Sequence, residues 1–265
     1  MRLKLSLLPQ SPRTAVPINY NYPLSAALYK TLRQAEPEYA AWLHDRGYAS
    51  PNRRFYKLFT FSRLFIPVAR RDGSVLIAGD GRPWHLLVSS PMEDDFVQNF
   101  VLGLFQEQTL EIGGPGAVGR FLIASVEALP VPEFRSPIRG VMLSPLVCTT
   151  MREHNGKQQP YYFRPQDAGL SAALHQNLLN KYEVVHGRPC EDETFEIRLD
   201  MDYFNRKNGK VSKLLHIKEG TAEETRIKAF EMPFRMSGNP DLLRIAWECG
   251  LGDKNSLGLG MIEVR

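Results

Sequence analysis

Hydrophobic positions change their period along this chain, and each change marks an element. Residues 2–8 alternate leucine with basic or polar residues, the two-residue period of a half-buried strand. "PLSAALYKTLRQAEPEYAAWLHDRG" then has helical spacing, but Pro37 cannot sit inside a regular helix, so two short helices are expected, about 24–34 and 37–46, with Pro37 opening the second. "FYKLFTFSRLFIPVA" and "PWHLLVSS" read as strands. "SPMEDDFVQNFVLGLFQEQ" reads as a helix with Ser90 as N-cap and Glu93 closing a capping box. "RFLIASVEALP" is a strand beyond a glycine-rich turn.

Strand–helix–strand–strand–helix–strand is the ferredoxin-like order, and it begins again. "RSPIRGVMLSPLVC" is extended and "GLSAALHQNLLNKYEVVHG" is helical. "TFEIRLDMDYF" and "KVSKLLHIK" read as strands joined across "NRKNG" by an Asn-Gly hairpin turn. "RIKAFEMPFRMSG" is a strand, "NPDLLRIAWECG" a helix capped by Asn239 and stopped by Gly250, and "LGMIEVR" a last strand. The expectation is an α+β protein of two tandem ferredoxin-like (RRM-like) domains, 1–130 and 131–265.

Composition narrows the class. A chain of 265 residues, 43% hydrophobic and 23% charged, is ordinary for a globular protein. No apolar run approaches the roughly 18 residues of a membrane span, and the N-terminus lacks a signal-peptide centre. The three cysteines, Cys148, Cys190 and Cys249, are far apart and suit neither a disulfide framework nor a zinc site. A cytosolic protein is expected. The net charge of +4 is mild, but seven Lys/Arg fall between Arg46 and Arg71, with Asp45 the acid at the edge. "NRKNGKVSKLLHIK" is basic without an acid. Such stretches suit phosphates as well as they suit a solvated face.

The C-terminal "CGLGDKNSLGLGMIEV" exceeds what one helix stop needs. Gly250 serves the stop; Gly252, Gly258 and Gly260 can leave backbone open to an anion, beside Lys254, Asn255 and Ser256 as donors. It is neither a Walker loop nor a dinucleotide fingerprint. "AWECGLGDKNSLGLGMIEV" resembles the glycine-rich loop of the CRISPR-associated repeat-processing endoribonucleases, in the superfamily of repeat-associated RNA-binding proteins. "LYKTLRQAEPEYAAWLHDRG", "RFYKLFTFSRLF", "VMLSPLVC" and "LHQNLLNKYEVVHG" fit in order, so the resemblance covers both halves. It implies two ferredoxin-like domains that bind CRISPR repeat RNA and cut it once without metal or other cofactor, with other CRISPR-associated effector subunits as further partners.

Cleavage by RNA's own 2′-hydroxyl needs proton transfer and charge stabilisation, which a histidine and a lysine can supply. Of six histidines, His44 stands before "DRG", where the resemblance places the catalytic one. The break at Pro37 lets Tyr29 fold back toward His44, and Lys57 on the next strand can add positive charge. Each residue also has an ordinary structural role open to it: a helix-end histidine, a packing tyrosine, an outward strand lysine. His216 lies on the basic hairpin at 204–218 and could touch RNA; His85, His154, His175 and His186 have no partner at zinc spacing. Adjacent Asp94 and Asp95 suit a helix start better than a two-metal centre. Arg53, Arg54, Lys207 and Lys210 are the side-chain candidates for RNA phosphates. Two other classes stay open: a non-cleaving guide-RNA-binding subunit of the same fold, and a module for an acidic metabolite or protein.

Overall fold

The computed structural model describes residues 1–51, 53–78 and 81–265. Strand β1 (Arg2–Pro9) buries Leu3, Leu5 and Leu7, every second residue, as its alternation requires. It lies at the centre of the first sheet. Strands β2 (Thr60–Phe61), β3 (Trp84–Ser89), β4 (Thr109–Gly114) and β5 (Ala117–Leu129) complete it in the order β2-β3-β1-β5-β4. Helices α1 (Asn21–Ala35) and α2 (Pro37–Asp45) are separate: Glu36 is extended and Pro37 occupies the first helical position. Helix α1 packs against α3 (Gln98–Glu107) over this sheet.

The second half repeats the plan. Strands β6 (Ile138–Met142), β9 (Phe195–Leu199), β12 (Phe234–Gly238) and β13 (Ile262–Val264) form a sheet ordered β9-β12-β6-β13. Helices α4 (Leu170–His186) and α6 (Pro240–Cys249) cover it. Both sheets put the first and third strands of the motif side by side with the fourth on the other flank, so the fold is ferredoxin-like twice. Two ribbons are inserted, β7 (Thr149–His154) with β8 (Lys157–Tyr162), and β10 (Ser212–Ile217) with β11 (Thr225–Phe230).

Four local expectations change. The strand expected from Phe55 is broken: Leu58 has φ +51° and is buried in the second core cluster, while Phe59 and Phe61 are buried in the first. A regular strand cannot serve two cores from successive residues in this way. Ser90 caps no helix. Its hydroxyl donates to the Leu58 carbonyl (2.8 Å) and accepts from Met92 N–H (3.1 Å); a π-turn at Glu93–Val97 leads into α3, and Glu93 faces the N-terminal ammonium instead (3.5 Å). The Asn-Gly hairpin does not form. The Asp200 carboxylate accepts from Tyr203 N–H and opens a short helix, α5 (Met201–Arg206), while β9 and β10 join different sheets. Finally "RIKAFEMPFRMSG" divides into β11 and β12 around Pro233, which has no N–H for a ladder bond.

The halves are joined by polar side chains. Arg2 is fully buried, donates to the carbonyls of Trp247 (2.7 Å) and Ile262 (3.0 Å) and pairs with Glu263 (3.2 Å). Its guanidinium stacks 3.8 Å over the Trp247 ring. Arg63 bonds Glu231 across the same junction.

Candidate functional site

Because α1 and α2 fold back at Pro37, a residue in the middle of the first reaches the end of the second. The Tyr29 and His44 rings meet edge to face, their centroids 5.2 Å apart. Lys57 enters from the irregular segment before Leu58, and its ammonium donates to the His44 main-chain carbonyl at 2.7 Å. The three candidates drawn from distant points of the sequence therefore stand together. His44 is two-thirds exposed, and its Nδ1 lies 2.9 Å from a carboxylate oxygen of Asp45. An ionised carboxylate only accepts, so Nδ1 carries the hydrogen and Nε2 of the neutral ring has a free lone pair. Burial pushes the Tyr29 phenol upward, keeping it protonated, and partial burial lowers the Lys57 ammonium.

The glycine-rich loop comes from the other domain and docks here. Gly250 stops α6 at φ +80°. Asn21 Nδ2 of α1 then donates to the carbonyls of Leu257 (3.0 Å) and Gly258 (3.2 Å), Ser25 Oγ to that of Ser256 (2.7 Å), and Thr60 Oγ1 to that of Leu259 (3.1 Å). The Ser256 side chain lies beside the Tyr29 phenol and opposes the upward push of burial without overcoming it. A cleft of about 590 Å³ opens between the two domains, with Arg53, Arg54, Lys57, Thr150, Lys254 and Ser256 among its walls. Its positive side chains outnumber its acid: Asp253 already accepts from Thr149 N–H (2.7 Å), Thr149 Oγ1 (2.8 Å) and Asn177 (3.3 Å). Such a cleft attracts an anionic strand and offers it donors.

Several expectations about the loop are corrected by its packing. Gly252, Gly258 and Gly260 are buried; Gly252 lies in the cleft wall, whereas Gly258 and Gly260 do not line it. A Cβ on Gly258 would stand 2.1 Å from the Phe61 ring, one on Gly260 1.9 Å from the Leu251 carbonyl oxygen, and one on Gly252 2.1 Å from that of Val147. Protein fills the space beside all three. The Asn255 amide is also taken: its Nδ2 donates to the carbonyls of Leu251 and Leu259, and its Oδ1 accepts from Lys181. The loop lines the cleft with Gly252, Asp253, Lys254, Asn255 and Ser256, of which Lys254 is the exposed one. Lys207 and Lys210 sit on the turn after α5 and do not line the cleft; the Lys207 ammonium lies 5.7 Å from the centre of the Tyr203 ring. His216 is paired with Glu224 (2.9 Å), His85 approaches Ser6 (3.3 Å), and His154 is the last residue of β7.

Lys181 escaped the sequence reading. It is wholly buried, and its ammonium donates to the Gly250 carbonyl (2.7 Å), the Gly252 carbonyl (2.8 Å) and Asn255 Oδ1 (2.8 Å), holding the loop in one shape. The signal was present: Asn177, Asn180 and Lys181 recur at helical spacing on an otherwise apolar helix face, where polar groups need partners. Among the described residues no group of three or more His, Cys, Asp or Glu side chains gathers in a metal-holding arrangement. The three cysteines are buried and unpaired. No described helix is long and apolar enough to cross a membrane.

Two ferredoxin-like folds in tandem, with a glycine-rich loop that walls a basic cleft between them and docks on α1, define a protein of the repeat-associated RNA-binding class. The comparisons with known proteins make the class specific. Residues 15–125 match the family model for the N-terminal domain of the CRISPR-associated protein Cas6, and residues 129–264 match that for its C-terminal domain. The chain belongs to the Cas6 family. It is 31% identical to the CRISPR-associated endoribonuclease Cas6 1 of Methanocaldococcus jannaschii, over 99% of this chain and 92% of that protein. Among solved structures, one described as CRISPR associated protein Cas6 superposes with a TM-score of 0.74 at 29% identity, covering 99% of this chain and 98% of the other. A second, of a Cas6-related gene from Pyrococcus furiosus, gives 0.80 at 25% identity over 100% and 98%.

Proposed function

We propose that this protein is a metal-independent endoribonuclease that binds CRISPR repeat RNA and cuts it by attack of the 2′-hydroxyl on the adjacent phosphate. The observation that carries the proposal is the meeting of His44 and Tyr29 with Lys57, which itself lines a basic cleft walled from the second domain by the glycine-rich loop. The relative from Methanocaldococcus jannaschii is named an endoribonuclease, which supports the same reading.

The chemistry divides among the three. His44 Nε2 takes the proton of the 2′-hydroxyl, the 2′-oxygen bonds to phosphorus, and the bond to the 5′-oxygen breaks. Lys57, its ammonium made more acidic by partial burial, stabilises the pentacoordinate oxygens and gives a proton to the departing 5′-oxygen. Tyr29 stays protonated and holds the His44 ring in place by its edge-to-face contact. One product carries a 2′,3′-cyclic phosphate and the other a 5′-hydroxyl. Arg53, Arg54 and Lys254 hold the strand by its phosphates, with Ser256 as a further donor.

Purified protein incubated with its repeat RNA in excess chelator tests this. Cleavage is expected to persist, and the downstream fragment should accept phosphate from a polynucleotide kinase without prior phosphatase treatment. Cleavage that appears only when magnesium is restored would discard the mechanism. Tight binding without scission would favour the non-cleaving guide-RNA subunit instead.

A further inference from the structure

The face of the second sheet turned away from its helices carries a row of arginines. The register sets Arg139 of β6 opposite Arg235 of β12, and Arg235 opposite Arg198 of β9, so three guanidinium side chains stand abreast on three adjacent strands. Their neighbours Ile138, Met236 and Ile197 are in register too and are buried, so the two-residue period sends the arginines to the open side. All three are exposed. Arg198 pairs with Glu196 at 2.7 Å; among the described residues Arg139 and Arg235 have no ion-pair partner. They line a hollow of about 760 Å³ together with Arg265, whose N–H donates to the Arg139 carbonyl (2.8 Å). Two acids stand at its rim. The Asp200 carboxylate is taken by the cap of α5, which leaves Asp202.

Like charges directly opposite one another in a sheet are unfavourable, and among the described residues Glu196 offsets only the Arg198 end of the row. An anion with evenly spaced charges would offset the whole row. An RRM-like sheet that reads bases presents aromatic rings on this face; this one presents guanidinium groups, which bind phosphate and ignore sequence. The hollow shares no lining residue with the interdomain cleft. The cleft takes Asn177 and Lys181 from α4, on the helical side of the same sheet. RNA confined to the cleft therefore cannot touch the row, whereas a longer strand passing around the domain can.

We propose that Arg139, Arg198 and Arg235 form a second RNA-binding surface, which holds the phosphate backbone of single-stranded RNA lying beyond the cut site without regard to its sequence. The inference rests on the reading of the protein as an RNA-cleaving enzyme. Its test uses the full chain and the Arg139→Gln/Arg198→Gln/Arg235→Gln variant, with a short repeat oligonucleotide spanning the cut site and the same oligonucleotide carrying long single-stranded extensions. The short RNA should be bound and cut as by the wild type. The extended RNA should bind more weakly, and the slope of log affinity against log salt should be shallower by about 2, from three phosphates at ~0.7 each. The wild-type advantage should then shrink roughly 15–20-fold between 50 and 200 mM salt. Lysine at the same three positions should restore the slope, and scrambling the extensions should change nothing. Equal affinity and slope for both proteins on the extended RNA, with the wild type still binding and cutting, would overturn the inference alone. Equal RNA binding with loss of poly-glutamate binding would assign the row to an acidic protein partner and overturn it as well. A wild type that binds neither RNA would remove the functional reading and the inference together.

Discussion

Replacing Gly258 by alanine separates a loop built to touch RNA from a loop built to pack. Gly258 has φ +70°, and a Cβ there would fall 2.1 Å from an edge carbon of the Phe61 ring. Phe61 is fully buried in the first core cluster, so it has no free direction in which to yield. An L side chain in the left-handed region costs ~1–2 kcal/mol, and overpacking a filled site costs ~1–3 kcal/mol. Together these predict about 2–5 kcal/mol of destabilisation, a fall of roughly 5–20 °C in melting temperature for a chain of this size. Thermal unfolding should be followed beside repeat-RNA affinity measured well below the transition. The expected result is a clearly lowered melting temperature. A melting temperature within about 1 °C of wild type, with affinity down tenfold or more, would refute the packing argument and return Gly258 to the ligand.

His44→Ala should lose about 10²–10⁴-fold in single-turnover cleavage while keeping RNA affinity, and wild-type cleavage by the variant would show that the site is wrongly assigned. Lys57→Ala should slow cleavage less, and Tyr29→Phe, which keeps the ring against His44 and removes only the hydroxyl, less still; a rank order led by Tyr29 would contradict the division of roles. Lys181→Met leaves the Gly250 and Gly252 carbonyls and Asn255 Oδ1 without their shared donor, and about 2–4 kcal/mol of lost stability is expected in urea unfolding. No loss there would mean that the lysine does not hold the loop. Burial raises the Cys148 and Cys249 thiols from an ordinary 9 to about 12, so the folded chain binds more protons than the unfolded one between those values. Stability should therefore fall as pH rises above about 9, with Tyr20 and Tyr39, which burial raises from 10 to about 12, adding to the fall above about 10. A partial offset below 10.5 comes from Lys181, which burial lowers to about 8 and which acts with the opposite sign. A Cys148→Ala/Cys249→Ala protein with the same slope between about pH 9 and 10, below the range where the tyrosines contribute, would dispose of this account.

What the sequence determined by itself was whatever depends on neighbours along the chain. Alternating leucines are enough to make β1, Pro37 is enough to divide α1 from α2, and Asn239 with Gly250 is enough to bound α6, because each effect acts within one turn or one strand. From those elements the doubled ferredoxin-like order followed, and the break at Pro37 already implied that Tyr29 could reach His44. Tertiary structure decided the rest, wherever a residue answers to groups far away in sequence. Leu58 leaves its strand because its own pocket lies in the other domain's core, and "RLDMDYF" turns helical at Asp200 because its cap outweighs the strand propensity around it. The glycine loop shows the limit most clearly. Its composition is the same whether its backbone faces a phosphate or the Phe61 ring, and only the docking against α1 and Lys181 selects between them. The arginines of the second sheet were equally hidden, since a cross-strand row exists only once the register of three separate strands is fixed.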